Sequence, residues 1–263
     1  MITSTRNDRI RAAAALRRAR DRRLTGRHLV EGPRALDAAL TAGAIEQVFA
    51  IPDAAEGLAL PPAVELVVVA DHVLDHLADA RTPQGVVGVA RTPVSDPEVL
   101  AGQRLVVVLE AVADPGNAGT IVRTADAAGA AAVVLTAGSV DAYAPKVVRA
   151  SAGSVHHLPV FTGVPLRDVV AACRRTPGWP TPPGRLPVQV VGLDGAAEVT
   201  VFDLPREGAG VVLVLGNEAH GLSSEARGLV DRLARVPIRG RAESLNVAAA
   251  AAVATYVVAG PWD

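Results

Sequence analysis

The sequence predicts an α/β protein of two units, the second built on a parallel β-sheet. Three observations predict it. Apolar runs of strand length alternate with helical segments along the chain, the order that builds parallel sheets. The runs LVVVLE (105–110) and GVVLVLG (210–216) are apolar almost throughout, as strands buried on both faces require. A polar stretch with two prolines, Thr92-Pro-Val-Ser-Asp-Pro97, separates two periodic regions. The expected division is a first unit at 1–91, a linker at 92–101 and a second unit at 102–263.

In the first unit, Arg6 to Arg23 reads as one helix, with Ile10, Ala13, Ala14 and Leu16 on one side and arginines over the rest. HLVEG is a strand, and Pro33 to Leu40 a helix opened by proline. IEQVFAI and VELVVVA are strands, Asp71 to Ala78 a helix, and GVVGVA a strand. In the second unit, LVVVLE leads into the helix 118–128, with Gly129 placed to end it. AAVVLT is a strand, Pro145 to Ser151 a helical turn or more, HLPVF a strand and Leu166 to Arg174 a helix. Residues 176–187 hold five prolines and predict a stiff surface loop. VQVVGL and GVVLVLG are strands, Leu222 to Leu229 a helix, LARVPI a strand and Leu245 to Ala259 a helix. That last helix is apolar on nearly every face yet too short for a bilayer, which needs about 20 apolar residues. A buried position or a subunit interface is expected, not a membrane.

Composition excludes several classes. The 263 residues are 50% hydrophobic and 20% charged, enough for a core and too apolar for a disordered chain. Aromatics at 3% leave the core to Ala, Val and Leu and argue against a base-stacking platform. A single cysteine, Cys173, rules out an internal disulfide or a Cys-rich zinc site and suits a reducing cytoplasm. The polar, basic start lacks an apolar stretch, so no secretory signal is expected. His72 and His76 have metal-ligand spacing but no third ligand nearby, so no metal is expected. Net charge is −1, but residues 1–34 carry ten Arg against three acids while the remainder carries 16 basic and 24 acidic side chains. Arg17, Arg18, Arg22 and Arg23 in that basic head are candidate polyphosphate contacts.

Three segments stand at strand ends of the second unit, where open α/β sheets bind ligands. The first, Glu110 to Arg123, runs from strand through a Gly/Pro turn into a helix; Asn117 fits an N-cap, and Arg123 lies about two turns in. Its glycines do not form the dinucleotide pattern, which argues against a nucleotide-dependent oxidoreductase. The second, Leu215-Gly216-Asn-Glu218-Ala-His-Gly221, places a glycine suited to close backbone approach beside an acid free to bind an amine or pair with Arg123. The third, Val236-Pro-Ile-Arg-Gly240-Arg-Ala-Glu-Ser244-Leu-Asn246, opens the apolar helix; Ser244 fits its N-cap, and Asn246 lacks an evident packing role.

These segments, in this order and spacing, resemble the three motifs of the SpoU (TrmH) family of RNA ribose 2′-O-methyltransferases, in the SPOUT superfamily. The likeness rests on Asn117 and Arg123; on Gly216, Glu218 and Gly221; and on Pro237, Ser244, Leu245 and Asn246. The stretch 140–160 also resembles family members. GRHLVEGPRALDAAL and RTPQGVVGVA resemble the substrate-binding domain found before many SpoU catalytic domains, itself similar to kink-turn-binding ribosomal proteins.

The resemblance implies a parallel-sheet SPOUT domain with a deep trefoil knot. It implies methyl transfer from S-adenosylmethionine to a ribose 2′-hydroxyl, without a metal. Arg123 is then catalytic, either as the base that takes the 2′-hydroxyl proton with help from a substrate phosphate or as an electrostatic stabiliser of the alkoxide, with Asn117, Glu218, Ser244 and Asn246 orienting it and the ribose. Gly216, Val236, Ile238 and Leu245, with Leu135 and Thr136, would hold the cofactor, and Arg149 would bind a substrate phosphate. It also implies a cytoplasmic homodimer acting on RNA, with 23S ribosomal RNA favoured over tRNA, in housekeeping or in antibiotic resistance. The alternative of another class is a non-catalytic RNA-binding or ribosome-assembly protein of the same fold. The target nucleotide has no residue code in the chain, since RNA is read through loops, shape and 2′-hydroxyls.

Overall fold

A computed structural model describes residues 1–94, 96–175, 188–204 and 210–260. The predicted proline-rich loop 176–187 lies outside the described residues. The chain forms two compact units: Met1–Val94 with Asp141–His157, and Ser95–Val140 with Leu158–Asp263. The crossing near residue 94 falls within the expected linker. The segment 141–157, expected in the second unit, instead groups with the first, because its side chains are tied there.

The first unit carries a four-stranded sheet in the order β1 (Arg27–Glu31), β4 (Val86–Arg91), β2 (Ile45–Ala50), β3 (Glu65–Val68). β4 is antiparallel to both its neighbours, and β2 and β3 are parallel. Alternation along these strands feeds two cores. Leu29, Phe49, Val67 and Val89 pack with Ile10, Leu74 and Leu77 on one face. Val30, Val48, Val86 and Ala90 pack with Leu36, Ala39 and Ile45 on the other. Helix α3 (Pro33–Thr41) opens on proline as expected, and α5 (Asp71–Leu77) follows β3. A short helix α4 (Pro52–Glu56) was not anticipated.

The single N-terminal helix expected from the sequence is two, α1 (Asp8–Ala15) and α2 (Ala19–Thr25). The backbone tightens after Ala15 and turns extended at Arg18. Arg22 makes that break possible. Its guanidinium is buried and donates to the freed carbonyls of Leu16 (2.8 Å) and Arg17 (2.7 Å) and to the Asp141 carboxylate (2.6 and 2.9 Å). Helical periodicity does not show where a long side chain will satisfy an interrupted ladder. Helix α7 (Pro145–Ala150) brings Arg149 to Asp79 (2.6 Å) and Glu31 (3.4 Å). His28 stacks on His156, ring centroids 5.2 Å apart, with Tyr143 at 4.7 Å.

Burial holds His28 neutral, its pKa pushed down to about 3, with the charges of His156 and Arg22 adding to the effect. Burial likewise lowers His156 to about 4, with His157 adding. Unfolded, both titrate near 6.5, so the unfolded chain takes up protons that the native unit refuses. Stability is therefore full above pH 6.5 and falls as the pH drops from there towards 4. The thermal midpoint, followed by circular dichroism, is expected to decline across that window, and His28→Asn to flatten part of the decline. A midpoint flat between pH 6.5 and 4.5 would contradict the buried neutral pair.

The second unit carries six parallel strands in the order β10 (Arg232–Ala234), β8 (Gln189–Leu193), β9 (Val211–Leu215), β5 (Leu105–Leu109), β6 (Ala132–Leu135), β7 (Val160–Thr162). β5 and β9 are buried at every position, as their unbroken apolar runs require. Helices α6 (Pro115–Ala127), α8 (Leu166–Arg174), α9 (Ser224–Leu229) and α10 (Val247–Ala259) cover the sheet or its edges. Gly129, at φ 69°, follows the end of α6 as expected. Cys173 is buried in the core, as a packing residue should be. The last strand is shorter than LARVPI suggested: the chain leaves the sheet after Ala234. Helix α10 buries Ala248, Ala251, Ala254 and Thr255 and packs on α6 through that small-residue stripe. Among the described residues no helix is long and apolar enough to cross a membrane.

Candidate functional site

The C-terminal ends of β5, β8, β9 and β10 open onto the site. A cavity of about 680 Å³ lies there, in the range of small-molecule sites. Its walls include Leu215 and Gly216 after β9, Leu193 and Gly195 around the end of β8, and the loop 235–246 that leads into α10.

Three distant segments meet in one hydrogen-bond chain. The Glu218 carboxylate accepts the N–H groups of Ala113 (3.1 Å) and Asp114 (3.0 Å) and the Asn117 side-chain amide (3.0 Å). The Asn117 carbonyl oxygen in turn accepts the Asn246 amide (3.0 Å). The Asn246 oxygen accepts the N–H groups of Ala248 (2.8 Å) and Ala249 (3.3 Å), so Asn246 caps α10. Asn117 therefore spends its donor on the second motif and its acceptor on the third, and Asn246 spends its donor on the first and its acceptor on its own helix. Partial burial pulls the Glu218 pKa upward, but the Asn117 amide and the backbone N–H groups of Glu218, Ala113 and Asp114 outweigh it, and the carboxyl lies below the ordinary glutamate value. Hydrogen bonds to the ionised form have that effect.

Three expectations are corrected. Asn117 is not the N-cap of α6; Asp114 is, accepting the Asn117 N–H at 2.8 Å, with Pro115 in the first turn where no N–H is needed. Asn246, not Ser244, caps α10. Glu218 does not pair with Arg123, because its oxygens are taken by motif-one donors.

Of the expected cofactor residues, Gly216, Val236, Ile238 and Leu245 line the cavity, as do Asn117, Glu218, Ser244 and Asn246. Leu135 and Thr136 do not. Leu135 ends β6 in the core, and the buried Thr136 hydroxyl donates towards the Leu109 carbonyl (3.3 Å) while accepting the Ala111 N–H (3.3 Å). Arg123 is exposed on α6, on the same helical side as Gly116 and Thr120. It makes no hydrogen bond or ion pair among the described residues. Arg149 is engaged with Asp79 and Glu31. Arg22 is buried, Arg17 donates to the Ala78 carbonyl, and Arg18 pairs with Asp21 at 2.6 Å. Arg23 is exposed.

Gly216, which lines the cavity, has a role besides the ligand approach expected of it. A Cβ there would lie 2.3 Å from the Gly221 carbonyl carbon and 2.5 Å from Leu222 N. The backbone it admits is its own chain returning: Asn217 and Gly221 exchange N–H···O bonds of 3.0 and 2.8 Å. Two residues that sequence reasoning passed over hold this loop. The Asn217 amide donates to the Ala111 carbonyl (2.8 Å), while its oxygen accepts the Ala219 N–H (2.9 Å). Glu110 accepts the N–H of Ser223, the N-cap of α9, at 3.1 Å. Asn217 was legible as an Asx turn just after a buried strand; the Glu110 contact spans 113 positions and had no local signal.

Ala111 adopts φ 55°, the left-handed region. That costs a β-carbon-bearing residue about 1–2 kcal/mol. Ala111→Gly is expected to raise unfolding stability by about 1 kcal/mol after the entropic cost of glycine, read by urea denaturation. A loss of stability would show that the contacts at Ala111 compensate the strain.

Among the described residues no group of three or more His, Cys, Asp or Glu is placed to hold a metal ion.

The chain matches the model of the SpoU rRNA Methylase family over residues 104–256 and that of the MRM3-like substrate binding domain over 7–88. It is 30% identical over 260 residues to the 23S rRNA (guanosine(2553)-2′-O)-methyltransferase RlmP of Bacillus subtilis, covering 98% of this chain and 99% of that one. It is 35% identical over 199 residues to the 23S rRNA (uridine(2479)-2′-O)-methyltransferase of Streptomyces viridochromogenes, covering 73% of this chain and 66% of that one. Among solved structures, the AdoMet-bound rRNA methyltransferase from Sinorhizobium meliloti superimposes with a TM-score of 0.82 at 31% identity, over 98% of this chain and 96% of the other.

Proposed function

We infer the function from one premise: the chain belongs to the SpoU rRNA methylase family. It is an S-adenosylmethionine-dependent RNA ribose 2′-O-methyltransferase, and 23S ribosomal RNA is its substrate class. The observation that carries this reading is the Glu218–Asn117–Asn246 chain, which joins all three motifs at the wall of a cavity of small-molecule size. The deep knot follows from the fold shared with the solved family members. The proposed assignment of domains is substrate binding in the first unit and methyl transfer in the second.

The cavity suits the cofactor. Leu215, Val236, Ile238 and Leu245 give apolar wall, Gly216 and Gly240 expose backbone, and Asn246 and Ser244 bring polar groups. Bound there, S-adenosylmethionine supplies a methyl already activated by its sulfonium. The protein's work is then alignment and charge. Alignment of two reactants is worth up to roughly 7–11 kcal/mol in the best intramolecular models. Asn117, held at both ends, fixes the start of α6 and so the helix that carries Arg123. A guanidinium stays charged and is a poor base. Arg123 would act by binding the substrate phosphate and stabilising the developing 2′-alkoxide while the hydroxyl proton leaves to solvent and the methyl–sulfur bond breaks.

The protein is further proposed to act as a cytoplasmic homodimer through α10, whose Tyr256 side is exposed. Light scattering is expected to give a dimer; an active monomer would refute the homodimer as the working form. The function itself is tested by methyl transfer from radiolabelled cofactor to ribosomal RNA and tRNA pools, naked and in subunits, followed by mapping of ribose methylation. Incorporation at one 23S nucleotide is expected. Neither incorporation nor cofactor binding would favour the non-catalytic reading.

A further inference from the structure

The five arginines that charge and resemblance marked for RNA contact are mostly committed elsewhere. Arg22 is buried and fully bonded, and Arg17, Arg18 and Arg149 have partners inside the first unit. A second basic segment was not singled out: Arg235, Arg239 and Arg241, in the loop between β10 and α10. Between Arg235 and Asn246 the only carboxylate is Glu243.

This loop has two sides. Val236, Ile238, Gly240 and Ala242 line the cavity, whereas Pro237, Arg239 and Arg241 do not. From Val236 to Ala242 wall residues alternate with residues off the wall, while the chain bends at Gly240 and Arg241, and Arg235 and residues 243–247 also line the cavity. Arg239 and Arg241 are exposed and make no hydrogen bond or ion pair among the described residues. Two guanidiniums without a partner among the described residues are thus carried beside the site by the same loop that forms its wall. Their planar forks suit phosphate oxygens.

We propose that Arg239 and Arg241 grip RNA-backbone phosphates flanking the one that Arg123 binds. This rests on the methyltransferase reading above and adds a second polyanion contact in the second unit. One loop then presents its inner side to the methyl donor and its outer side to the acceptor strand.

The test is equilibrium binding of bulk bacterial ribosomal RNA to the full-length protein across a series of salt concentrations, with cofactor affinity measured by calorimetry. Each phosphate contact to a single strand contributes about 0.7 to the slope of log K against log salt. The double variant Arg239→Gln/Arg241→Gln is expected to lower that slope by about 1.4 and to weaken RNA binding about tenfold near 0.15 M salt. Cofactor affinity should stay within about twofold, and Arg239→Lys/Arg241→Lys should restore most of the slope, which a structural role would not do. A slope unchanged in the glutamine variant, with methylation intact, overturns the grip and leaves the methyltransferase reading standing. A loss shared equally by the lysine variant and by cofactor binding overturns it as well. A parent protein with no salt-dependent RNA binding overturns both.

Discussion

Arg123→Ala is expected to lower methyl transfer by about 10³-fold while leaving S-adenosylmethionine affinity nearly unchanged. Loss of one positioned electrostatic donor typically costs about 10²–10³ in rate, and the alkoxide and the phosphate depend here on the same guanidinium. The separation from cofactor binding follows from placement: Arg123 is exposed on α6 and is not part of the cavity wall. Single-turnover transfer under saturating cofactor, with calorimetry alongside, reads both quantities. Arg123→Lys should recover little, because a point charge lacks the planar fork. Turnover within tenfold of the parent would remove Arg123 from the chemistry.

Gly216→Ala is expected to damage the cofactor site through the backbone alone. The added methyl would meet the Gly221 carbonyl carbon at 2.3 Å, its oxygen at 2.5 Å and Leu222 N at 2.5 Å. These are main-chain atoms, so no rotamer change relieves the overlap. The 217–221 bridge must open or β9 must shift. Overpacking of this kind costs about 3 kcal/mol, and the cavity wall from Gly216 to Gly221 moves with it. Cofactor affinity should fall more than tenfold. Gly228→Ala, where an added Cβ meets nothing within 4 Å, is the matched control and should bind normally. Normal binding by Gly216→Ala would mean that the loop yields at little cost.

The order of elements was legible because burial imposes period: β5 and β9 are apolar at every position and buried at every position. Helix α8 begins and ends where its pattern does, at Leu166 and Arg174. The site was legible as a set, since Asn117, Glu218, Ser244 and Asn246 do converge on one cavity. Their individual roles were less so. Asn117 and Ser244 both fit N-caps by local rule, and in each case a neighbour holds the position. Asp114 wins because its negative charge suits the helix N-terminus and proline follows it; Asn246 wins because its other end is held by Asn117 across 129 positions.

Sequence by itself determined the α/β class, the strand and helix order, the family and the residues of the three motifs. Those follow from local periodicity and from residue types at fixed spacing. Tertiary structure decided which charges remain free. Arg22 was a plausible ligand from charge, and Arg149 and Glu218 from the motif segments and the family resemblance; each is neutralised or bonded by groups 70 to 119 positions away. Charge is a property of a residue, but its availability is set by what the fold places within hydrogen-bond reach. No spacing rule carries that information.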